Sequence, residues 1–524
     1  MVAWGILRRV SDRHSLGITD QQDVLSRGGK DSVYVASHGL SAWPGRALSF
    51  ISLLVITSFL AITRADADLW GHLTFGRDIV AERWVHTIDP YSFTSDRPWI
   101  NHEWLAEVLM WACYRLAGAA GLVALKMVMV CAVGWLVLET WRGRGLTPVR
   151  RDGLLFVTAI GVWPQFITIR PQVFSLVLFA LELFAFERIR RRRRAWLLAL
   201  VPIFMVWVNV HGGWLVGAGT LAVFVTCSMF DPVFKLRDRV LLCLVSVASA
   251  VATLGNPYGL RMLGFLFETV RPDRVDILEW RPVTQLPPVA LALWTVPTMV
   301  AAAAVWRGRR TIPGFSLILS VLLAVASFRV ARLVGLYALA VGLLLAPYVG
   351  SVSGVTEVNR PRTTRAWGAA LAACLVLVGI STGLFGRRIP ITPFPEPEVA
   401  AFVATNALRG RLLTFFDYGE YAIWHFWPSL QVSMDGRRET VYTERTIQRH
   451  LSLYRGEPDG PAYVSELRPD YVWLPRDAPG VAVLRASGWQ PIFDGPVSII
   501  LAPKPEGFLP APSGFHGTGF FPGP

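Results

Sequence analysis

The sequence predicts a polytopic α-helical membrane protein that carries a small α/β domain towards its carboxyl-terminal end. Of its 524 residues, 53% are hydrophobic and only 17% are charged, a composition that does not fit a soluble enzyme. The arginines fall in short clusters between long apolar segments. After about residue 389, closely spaced prolines mark the change to a region without segments long enough to span a bilayer.

Apolar segments predict eleven membrane-spanning helices, of which several are short or contain proline and glycine. In chain order, these segments are 48–62, 119–139, 153–169, 172–187, 195–208, 212–229, 240–255, 289–306, 312–328, 333–349 and 366–385.

Basic clusters between the predicted spans indicate the orientation of the chain. The clusters that fall on alternate connections are 142–151, 188–194, 235–239, 307–310 and 360–365. Because cytoplasmic loops carry the excess of lysine and arginine, this pattern predicts an amino terminus inside and a carboxyl terminus outside. The net charge of +14 therefore reflects membrane topology, and we expect no nucleic-acid partner.

These observations divide the chain into four regions. Residues 1–46 are expected to form a cytoplasmic tail, and residues 47–388 the transmembrane domain, with a large first outer loop at 64–118. Alternating short helices and strands predict an extracytoplasmic α/β domain at 389–503. The proline- and glycine-rich residues 504–524 are expected to be unstructured.

The first outer loop combines ionisable and amide side chains with apolar ones. A charged group near hydrocarbon costs about 3 kcal/mol, so such residues predict a functional site rather than an ordinary loop. The residues concerned are Asp66, Asp68, His72, Asp89, Asn101, His102 and Glu103.

Two helices are predicted in the same loop. Apolar residues recur at helical spacing from Leu69 to Trp84, which favours a helix in the membrane interface with its apolar face in lipid. A second helix is expected to begin with Asn101 as its N-cap. The acidic segment would then be held at the membrane surface.

Isolated polar residues lie in the other outer connections, where each one alone is ordinary for a helix end or a turn. The predicted topology brings them to the side of the acidic loop, which makes them candidate substrate-binding residues. They are Arg170, His211, Asn256, Arg281, Arg329 and Arg332.

The motifs leave metal dependence open. The histidines lack zinc-ligand spacing, but Glu103, next to His102, could join Asp66 and Asp68 in holding a hard divalent cation such as Mg²⁺ or Mn²⁺ through oxygens. The five cysteines form no close pair in the sequence and lie in or beside apolar segments, which predicts small core residues.

Several motifs together carry a resemblance to a known family. In chain order they are Asp66-Ala-Asp-Leu-Trp-Gly-His-Leu73, Asp89-Pro-Tyr-Ser-Phe93, Trp99-Ile-Asn-His-Glu-Trp104, Ile169-Arg-Pro-Gln172, Asn209-Val-His-Gly-Gly213 and Gly255-Asn-Pro-Tyr-Gly259. With them, the chain resembles a broad family of bacterial polytopic membrane proteins. That family in turn resembles the GT-C superfamily of glycosyltransferases.

The resemblance implies a GT-C-like enzyme of the bacterial inner membrane, surrounded by membrane lipids. Such an enzyme would move a sugar from a polyprenyl-phosphate donor to an extracytoplasmic acceptor, which the sequence does not identify. It also implies a catalytic acid in the first outer loop, here Asp66 or Asp68. Outer arginines, namely Arg170, Arg329 and Arg332, would stabilise the departing phosphate.

One further local similarity points elsewhere. Phe415-Phe-Asp-Tyr-Gly419 is similar to the tryptophan-rich acceptor motif of oligosaccharyltransferases, but both tryptophans are missing. A turn that leads into a helix is the preferred interpretation.

Two other classes of protein remain open. A transporter or flippase of a lipid-linked or anionic substrate would use the same acids and arginines to line its path, and Glu182 lies in the middle of a predicted span. The remaining spans carry few mid-membrane charges, and no internal repeat is visible, which favours the enzyme. A non-catalytic scaffold would leave the acidic loop without a purpose.

Overall fold

The computed structural model describes residues 49–269, 277–308, 311–350, 364–391, 395–511 and 517–524. The predicted amino-terminal tail and most of the basic cluster at 360–365 lie outside these residues. Residues Ile56–Pro524 form one compact unit, and the sites described below belong to it.

Helices account for most of the described chain, and their bounds follow the predicted spans closely. The helices before residue 390 are α1 Ser49–Ala61, α2 Asp68–Glu82, α3 Trp104–Trp141, α4 Pro148–Phe166, α5 Gln172–Arg190, α6 Ala195–Val210, α7 Trp214–Phe230, α8 Leu236–Ala252, α9 Arg261–Thr269, α10 Pro288–Gly308, α11 Gly314–Arg329, α12 Val334–Leu344, α13 Ala346–Gly350 and α14 Thr364–Phe385.

Among the described residues, three helices are long and apolar enough to cross a membrane, namely Trp104–Trp141, Pro288–Gly308 and Gly368–Phe385. Five more are apolar but shorter, including α6 and α7. Apolar side chains such as Leu244 and Val247 stay exposed, which suits a helix surface in lipid. The chain is thus a helical membrane protein, while the count of eleven spans and the orientation stay predictions.

Helix α3 is interrupted where the outer loop meets the bundle. Ala117 and Gly118 depart from helical geometry, and Gly118 has a φ of 59°, a conformation that glycine adopts without strain. As a whole, α3 packs on α2, α5, α6 and α14. Further along the helix, Cys131 contacts Cys374 of α14, a contact that the sequence spacing did not predict.

Carboxylates pair with the arginine runs on the connections that the sequence analysis assigned to the cytoplasm. Glu139 contacts Arg142 and Arg188 at 3.2 and 3.1 Å, and Arg144 contacts Glu187 at 2.7 Å. These pairs hold the ends of neighbouring helices together. Some of the arginines on these connections therefore stabilise the packing of the helices in addition to indicating topology.

The carboxyl-terminal region is a five-stranded sheet covered by short helices, as predicted. Its elements are α15 Pro397–Thr405, β1 Gly410–Thr414, α16 Gly419–Phe426, β2 Leu430–Val432, α17 Glu444–Tyr454, α18 Gly460–Leu467, β3 Tyr471–Pro475, α19 Pro479–Ala486, β4 Gln490–Asp494 and β5 Ser498–Ala502. The strand order is β2-β1-β3-β5-β4, with β1 parallel to β2 and β3. Strand β5 runs antiparallel to β3 and β4. Alternating aliphatic side chains such as Leu413, Val472 and Ile499 form its core.

The last described residues are held by contacts with the rest of the chain, which differs from the expectation of an unstructured tail. Pro390 and Phe520 form an antiparallel bridge, and the carbonyl of Pro522 accepts a hydrogen bond from Trp70 Nε1 at 2.8 Å. Phe521 is buried against Trp70 and Tyr114. Aromatic burial therefore fixes this segment despite its proline and glycine content.

Candidate functional site

Helix α2 places the acidic loop between the transmembrane bundle and the carboxyl-terminal domain. Leu69, Trp70 and Leu73 are fully buried, and Trp70 packs edge-on against Tyr421 of α16. The expectation that this apolar face lies in lipid is therefore wrong, because the carboxyl-terminal domain covers it. Trp84, beyond the end of the helix, does remain exposed.

The first outer loop also joins the edge of the sheet. Ser92 forms a parallel bridge with Val432 of β2, and the backbone N–H of Phe93 donates to the carbonyl of Val432 at 3.1 Å. Asp96 accepts hydrogen bonds from the side chains of Thr443 and Thr446. The loop and the domain therefore form one continuous structure around the site.

Asp66, Asp68 and Arg170 meet at the centre of this structure, as the sequence analysis predicted. Arg170 lies between α4 and α5; its Nε contacts Asp66 Oδ2 directly, and its Nη2 lies 3.2 Å from Asp68 Oδ2. Asp66 Oδ1 has no hydrogen-bond partner among the described residues. Burial raises the pKa of Asp66, although the charge of Arg170 acts against this shift.

A second arginine lies beside the first. Glu279 bridges Arg170 and Arg332, with nitrogen–oxygen distances of 3.9 Å to each. Arg332 Nη2 also donates to Gln172 Oε1 at 3.2 Å. Because these contacts are long, Arg332 is held more loosely than Arg170.

Three histidines surround Glu103 next to this cluster. Oε1 of Glu103 lies 3.6 Å from His102 Nε2 and 3.7 Å from His211 Nε2. Burial alone would raise the pKa of Glu103, but electrostatic interactions with the histidine rings around it and with Arg332 hold it below its ordinary value. Glu103 is therefore a carboxylate at neutral pH.

His72 and His211 are in opposite protonation states. Burial opposes protonation of His72, but its hydrogen bond to Glu107, at 3.2 Å, and the charge of Glu103 raise its pKa to about 9. Burial lowers the pKa of His211 to about 3. Since the N–H of Gly213 donates to Nδ1 of His211, the single proton of this neutral ring lies on Nε2, which faces Glu103.

One group of described residues could hold a metal ion. One ligand atom from each of His72, Glu103 and Glu107 lies within 4.8 Å of the others. Both oxygens of Glu107 already accept hydrogen bonds, from His72 and from Asn101 at 2.6 Å. A cation would fit these donors only if His72 gave up its proton, because a metal ligand must be deprotonated.

The carboxyl-terminal domain adds two acids that the sequence analysis did not select. Asp417 lies in the predicted turn before α16; loss of solvation and the charge of Asp68 raise its pKa to about 6. Glu420 is buried, which together with the charge of Asp68 raises its pKa, and its Oε2 has no partner among the described residues. A Cβ atom at Gly436 would collide with Asp68 Oδ1 and Glu420 Oε1. The domain therefore closes over the acidic cluster.

Asp89 belongs to a different cluster. Arg437 Nη1 donates to Asp89 Oδ1 at 2.6 Å, and Arg437 Nη2 donates to Asp435 Oδ2 at 2.6 Å. The guanidinium also lies 4.8 Å from the ring centre of Trp99. Both oxygens of Asp89 are used, so this residue holds the loop to the domain and has no oxygen left to bind a substrate.

The remaining selected residues have local roles. Asn256 accepts from the N–H of Tyr258 at 2.8 Å and donates to the carbonyl of Thr253, as expected of a turn residue. Arg329 is exposed at the end of α11. The carbonyl of Arg281 accepts from the N–H of Ala331.

Asn101 differs from its predicted role as an N-cap. The helix begins at Trp104, and the Asn101 side chain instead accepts from the N–H of Glu103 at 3.1 Å and donates to Glu107. Its short amide satisfies the loop backbone and orients the carboxylate that pairs with His72.

The helical bundle, the large first outer loop and the terminal sheet together define a membrane protein with a GT-C-like fold. The chain is similar to ArnT from Cupriavidus metallidurans bound to undecaprenyl phosphate, with a TM-score of 0.50 and 13% sequence identity over 88% of this chain and 98% of that chain. This likeness confirms the fold that the motifs implied.

A second solved structure is the arabinofuranosyltransferase AftD from mycobacteria, which aligns over 87% of this chain and 39% of its own, with a TM-score of 0.48 and 16% identity. No family model and no curated protein sequence matches the chain.

Proposed function

We propose that this chain is a membrane glycosyltransferase that moves a sugar from a polyprenyl-phosphate donor to an extracytoplasmic acceptor. The observation that supports it most is the buried cluster in which Arg170 joins Asp66 and Asp68 while one oxygen of Asp66 stays without a partner among the described residues. An unpartnered buried carboxylate oxygen is costly in a closed structure and is useful where an acceptor hydroxyl has to bind.

The proposed reaction needs a base that takes a proton from the acceptor and positive groups that stabilise the departing phosphate. A carboxylate, of Asp66 or Asp68, takes the proton of the acceptor hydroxyl. The hydroxyl oxygen then bonds to the anomeric carbon of the sugar, and the bond from that carbon to the phosphate oxygen breaks. The polyprenyl phosphate leaves with an additional negative charge, which positive groups must stabilise.

The two arginines suit different parts of this reaction. Arg170 is closed onto the carboxylates, so it orients them and keeps at least one of them ionised. Arg332 makes longer contacts and can present its planar fork to phosphate oxygens. We therefore assign the phosphate chiefly to Arg332. His72, held protonated by Glu107, adds a second positive charge near the carboxylates.

The similarity to ArnT bound to undecaprenyl phosphate supports a lipid-linked donor, since the two folds align along most of both chains. The acceptor is not identified by any residue of the site. Removal of divalent cations tests, by its effect on activity, whether Mg²⁺ or Mn²⁺ takes part in the reaction.

The test is to incubate the purified protein with a panel of polyprenyl-phosphate sugars and to measure the release of polyprenyl phosphate. Asp66→Asn and Asp68→Asn should each leave the protein folded, and at least one should lower the rate about 100-fold or more, as expected of a lost general base. Glu82→Gln is the matched control, because Glu82 lies in the same helix and its side chain is half-exposed. Wild-type rates in both variants would refute the proposed catalytic role.

The proposed orientation is N-in and C-out in the bacterial inner membrane, with eleven spans. The contacts of the first outer loop with the terminal domain support one part of it, because two regions in direct contact must lie on the same side of a membrane. Cysteines placed near Thr94, Leu286 and Gly456 should react with an impermeant reagent in intact cells, whereas one near Gly145 should not. Reaction at 456 only after permeabilisation would contradict this topology.

One residue favours the alternative of a transporter or flippase. Glu182 is fully buried in the middle of α5, and neither carboxylate oxygen has a partner among the described residues. Such a group in a span often carries protons or substrate. The same assay in proteoliposomes separates the two functions: movement of the lipid-linked sugar across the bilayer without release of polyprenyl phosphate would replace the enzyme with the transporter.

A further inference from the structure

A buried lysine lies where three parts of the transmembrane bundle meet. Lys126 belongs to α3 and is 1% exposed. Its Nζ donates to the carbonyls of Ala61, Ile62 and Phe166 at 3.2, 3.0 and 2.9 Å, and it lies 2.5 Å from Thr63 Oγ1. These acceptors come from two chain segments that are about a hundred residues apart.

Two of the carbonyls that Lys126 binds lie at helix ends, and the carbonyl of Ala61 also accepts a hydrogen bond from Thr63 Oγ1 at 2.7 Å. Ala61 ends α1 and Phe166 ends α4, so their carbonyls cannot accept the usual bond from four residues further along. In a bundle without access to water, such groups must find another donor. The amine of a lysine is suited to this, because its N–H groups diverge and its long stem reaches from the neighbouring helix.

The two segments that Lys126 joins lead directly into the proposed site. The N–H of Arg64 donates to the carbonyl of Ile167 at 2.9 Å, immediately beyond the lysine. Three residues after Thr63 the chain reaches Asp66, and three residues after Ile167 it reaches Arg170. The ion pair of Asp66 and Arg170 therefore forms at the ends of two short backbone segments. Lys126 and the hydrogen bond from Arg64 join the same two segments a few residues earlier in each.

We propose that Lys126 is a positioning residue that fixes the segments carrying Asp66 and Arg170 relative to each other. It touches neither side chain and acts through the backbone that leads to them. The consequence for activity rests on the proposed function, whereas the joining of the two segments does not. Small displacements of catalytic groups have large effects on rate, since a shift of about 1 Å can cost about 100-fold.

Lys126→Met tests this proposal because methionine keeps an unbranched side chain, one atom shorter than that of lysine, and removes every N–H of the amine. The matched control is Trp141→Phe, which removes another buried hydrogen bond of α3, the one from Trp141 Nε1 to the carbonyl of Gly342 at 2.8 Å. Trp141 lies at the opposite end of the helix from the site. Both variants should lower stability, and only Lys126→Met should affect the site.

The first measurement is hydrogen exchange in nanodiscs, which needs no substrate. In Lys126→Met, we expect peptides covering 62–70 and 167–171 to exchange at least about tenfold faster than in the wild type, while Trp141→Phe leaves these peptides unchanged. Unchanged exchange in Lys126→Met would overturn the proposal, whatever the protein does with lipid-linked sugars.

The second measurement is the binding of undecaprenyl phosphate, followed by tryptophan fluorescence, together with turnover of the donor. Lys126→Met should lower kcat/KM about 10- to 100-fold, chiefly through kcat, because the carboxylate and its arginine are misaligned. Lys126→Arg retains N–H donors and should recover part of the loss. Faster exchange with unchanged kcat would show that Lys126 joins the helices but does not position the site, and would overturn the proposal.

Thr63→Val keeps the proposal testable if Lys126→Met does not fold. Valine has the shape of threonine but removes one of the four acceptors of Lys126, together with the hydrogen bond from Thr63 Oγ1 to the carbonyl of Ala61. The same peptides should therefore exchange faster by a smaller factor, about two- to threefold. If the wild type neither binds undecaprenyl phosphate nor consumes any donor, the proposed function fails. The exchange results then decide alone whether Lys126 joins the two segments.

Discussion

Two ion clusters in this protein contain the same residue types but differ in how far their side chains are buried and hydrogen-bonded. In each, one arginine lies between two aspartates: Arg170 between Asp66 and Asp68, and Arg437 between Asp89 and Asp435. Arg437 donates to both oxygens of both partners, and aromatic rings cover its faces. The Arg170 cluster is only partly closed: Asp68 is a quarter exposed, and Asp66 Oδ1 has no partner among the described residues.

The difference separates a structural ion cluster from a candidate catalytic one. A buried charge cluster that satisfies all its hydrogen bonds resists any change in partners, because every new contact would break an existing one. A cluster with an unused oxygen and an exposed edge can accept a proton or a hydroxyl group. Charge and burial alone do not distinguish the two clusters, whereas their unused hydrogen-bonding capacity does.

The largest expected effect comes from removing the two arginines in turn. Arg437→Met leaves Asp89 and Asp435 buried without a counter-charge, which should cost about 3–5 kcal/mol of stability. Arg170→Met should cost less, because Asp68 reaches solvent whereas Asp89 and Asp435 do not. Thermal unfolding followed by tryptophan fluorescence measures both effects. Equal losses would remove the distinction between the two clusters.

Catalytic activity should show the opposite order in the same pair of variants. Per folded molecule, Arg170→Met should lose nearly all donor turnover, because the carboxylates lose their orientation and their counter-charge. Arg437→Met should keep more activity at temperatures where it remains folded. A folded and fully active Arg170→Met variant would contradict the proposed site.

The sequence was sufficient to bring Asp66, Asp68 and Arg170 together, although about a hundred residues separate them. Positive-inside topology places both connections on one face, and the apolar helices leave little freedom between them. The helix bounds and the order of the terminal strands also follow from local patterns. These features depend on periodicity and charge, which are visible in a single chain.

The rest depends on contacts between distant regions. Asp89 and Asp66 look alike in the sequence, and only the position of Arg437, 348 residues away, shows that Asp89 is structural. Asp417 and Glu420 were not selected because their proximity to Asp68 requires the terminal domain to pack on α2. The burial of α2 has the same origin, since an amphipathic pattern does not reveal whether lipid or protein covers it.

The pH dependence of thermal stability should distinguish the site around His72 from the cluster around Arg437, with an effect of intermediate size. The pKa of His72 is raised from 6.5 to about 9, so the folded state favours the protonated ring. This stabilisation is fully present below pH 6.5 and is lost as the pH rises to about 9, with a total of about 3 kcal/mol. The wild type should therefore lose thermal stability between these values.

His72→Gln should remove most of this pH dependence, whereas His86→Gln, in the same loop, should keep it. The closed cluster around Arg437 should contribute less in this range, because its guanidinium keeps its proton there and the charge of that guanidinium acts against the raised pKa of Asp89. Melting temperatures of the three proteins between pH 6 and pH 9.5 provide the test. An identical slope in His72→Gln would show that the ring is not protonated in the folded state.

The smallest expected effect concerns the phosphate and compares two neighbouring arginines of one connection. Arg332 is loosely held by Gln172 and Glu279 beside the open cluster, while Arg329 is exposed at the end of α11 and has no ion pair among the described residues.

Substitution by lysine keeps the charge and the apolar stem of arginine but loses the planar fork that binds two phosphate oxygens. Arg332→Lys should therefore weaken the binding of undecaprenyl phosphate about tenfold, or about 1.4 kcal/mol. Arg329→Lys should change it less than twofold, because an arginine that only anchors a helix end is replaced by lysine without loss. Equal affinities in both variants and the wild type would assign both arginines to anchoring and leave the phosphate to Arg170.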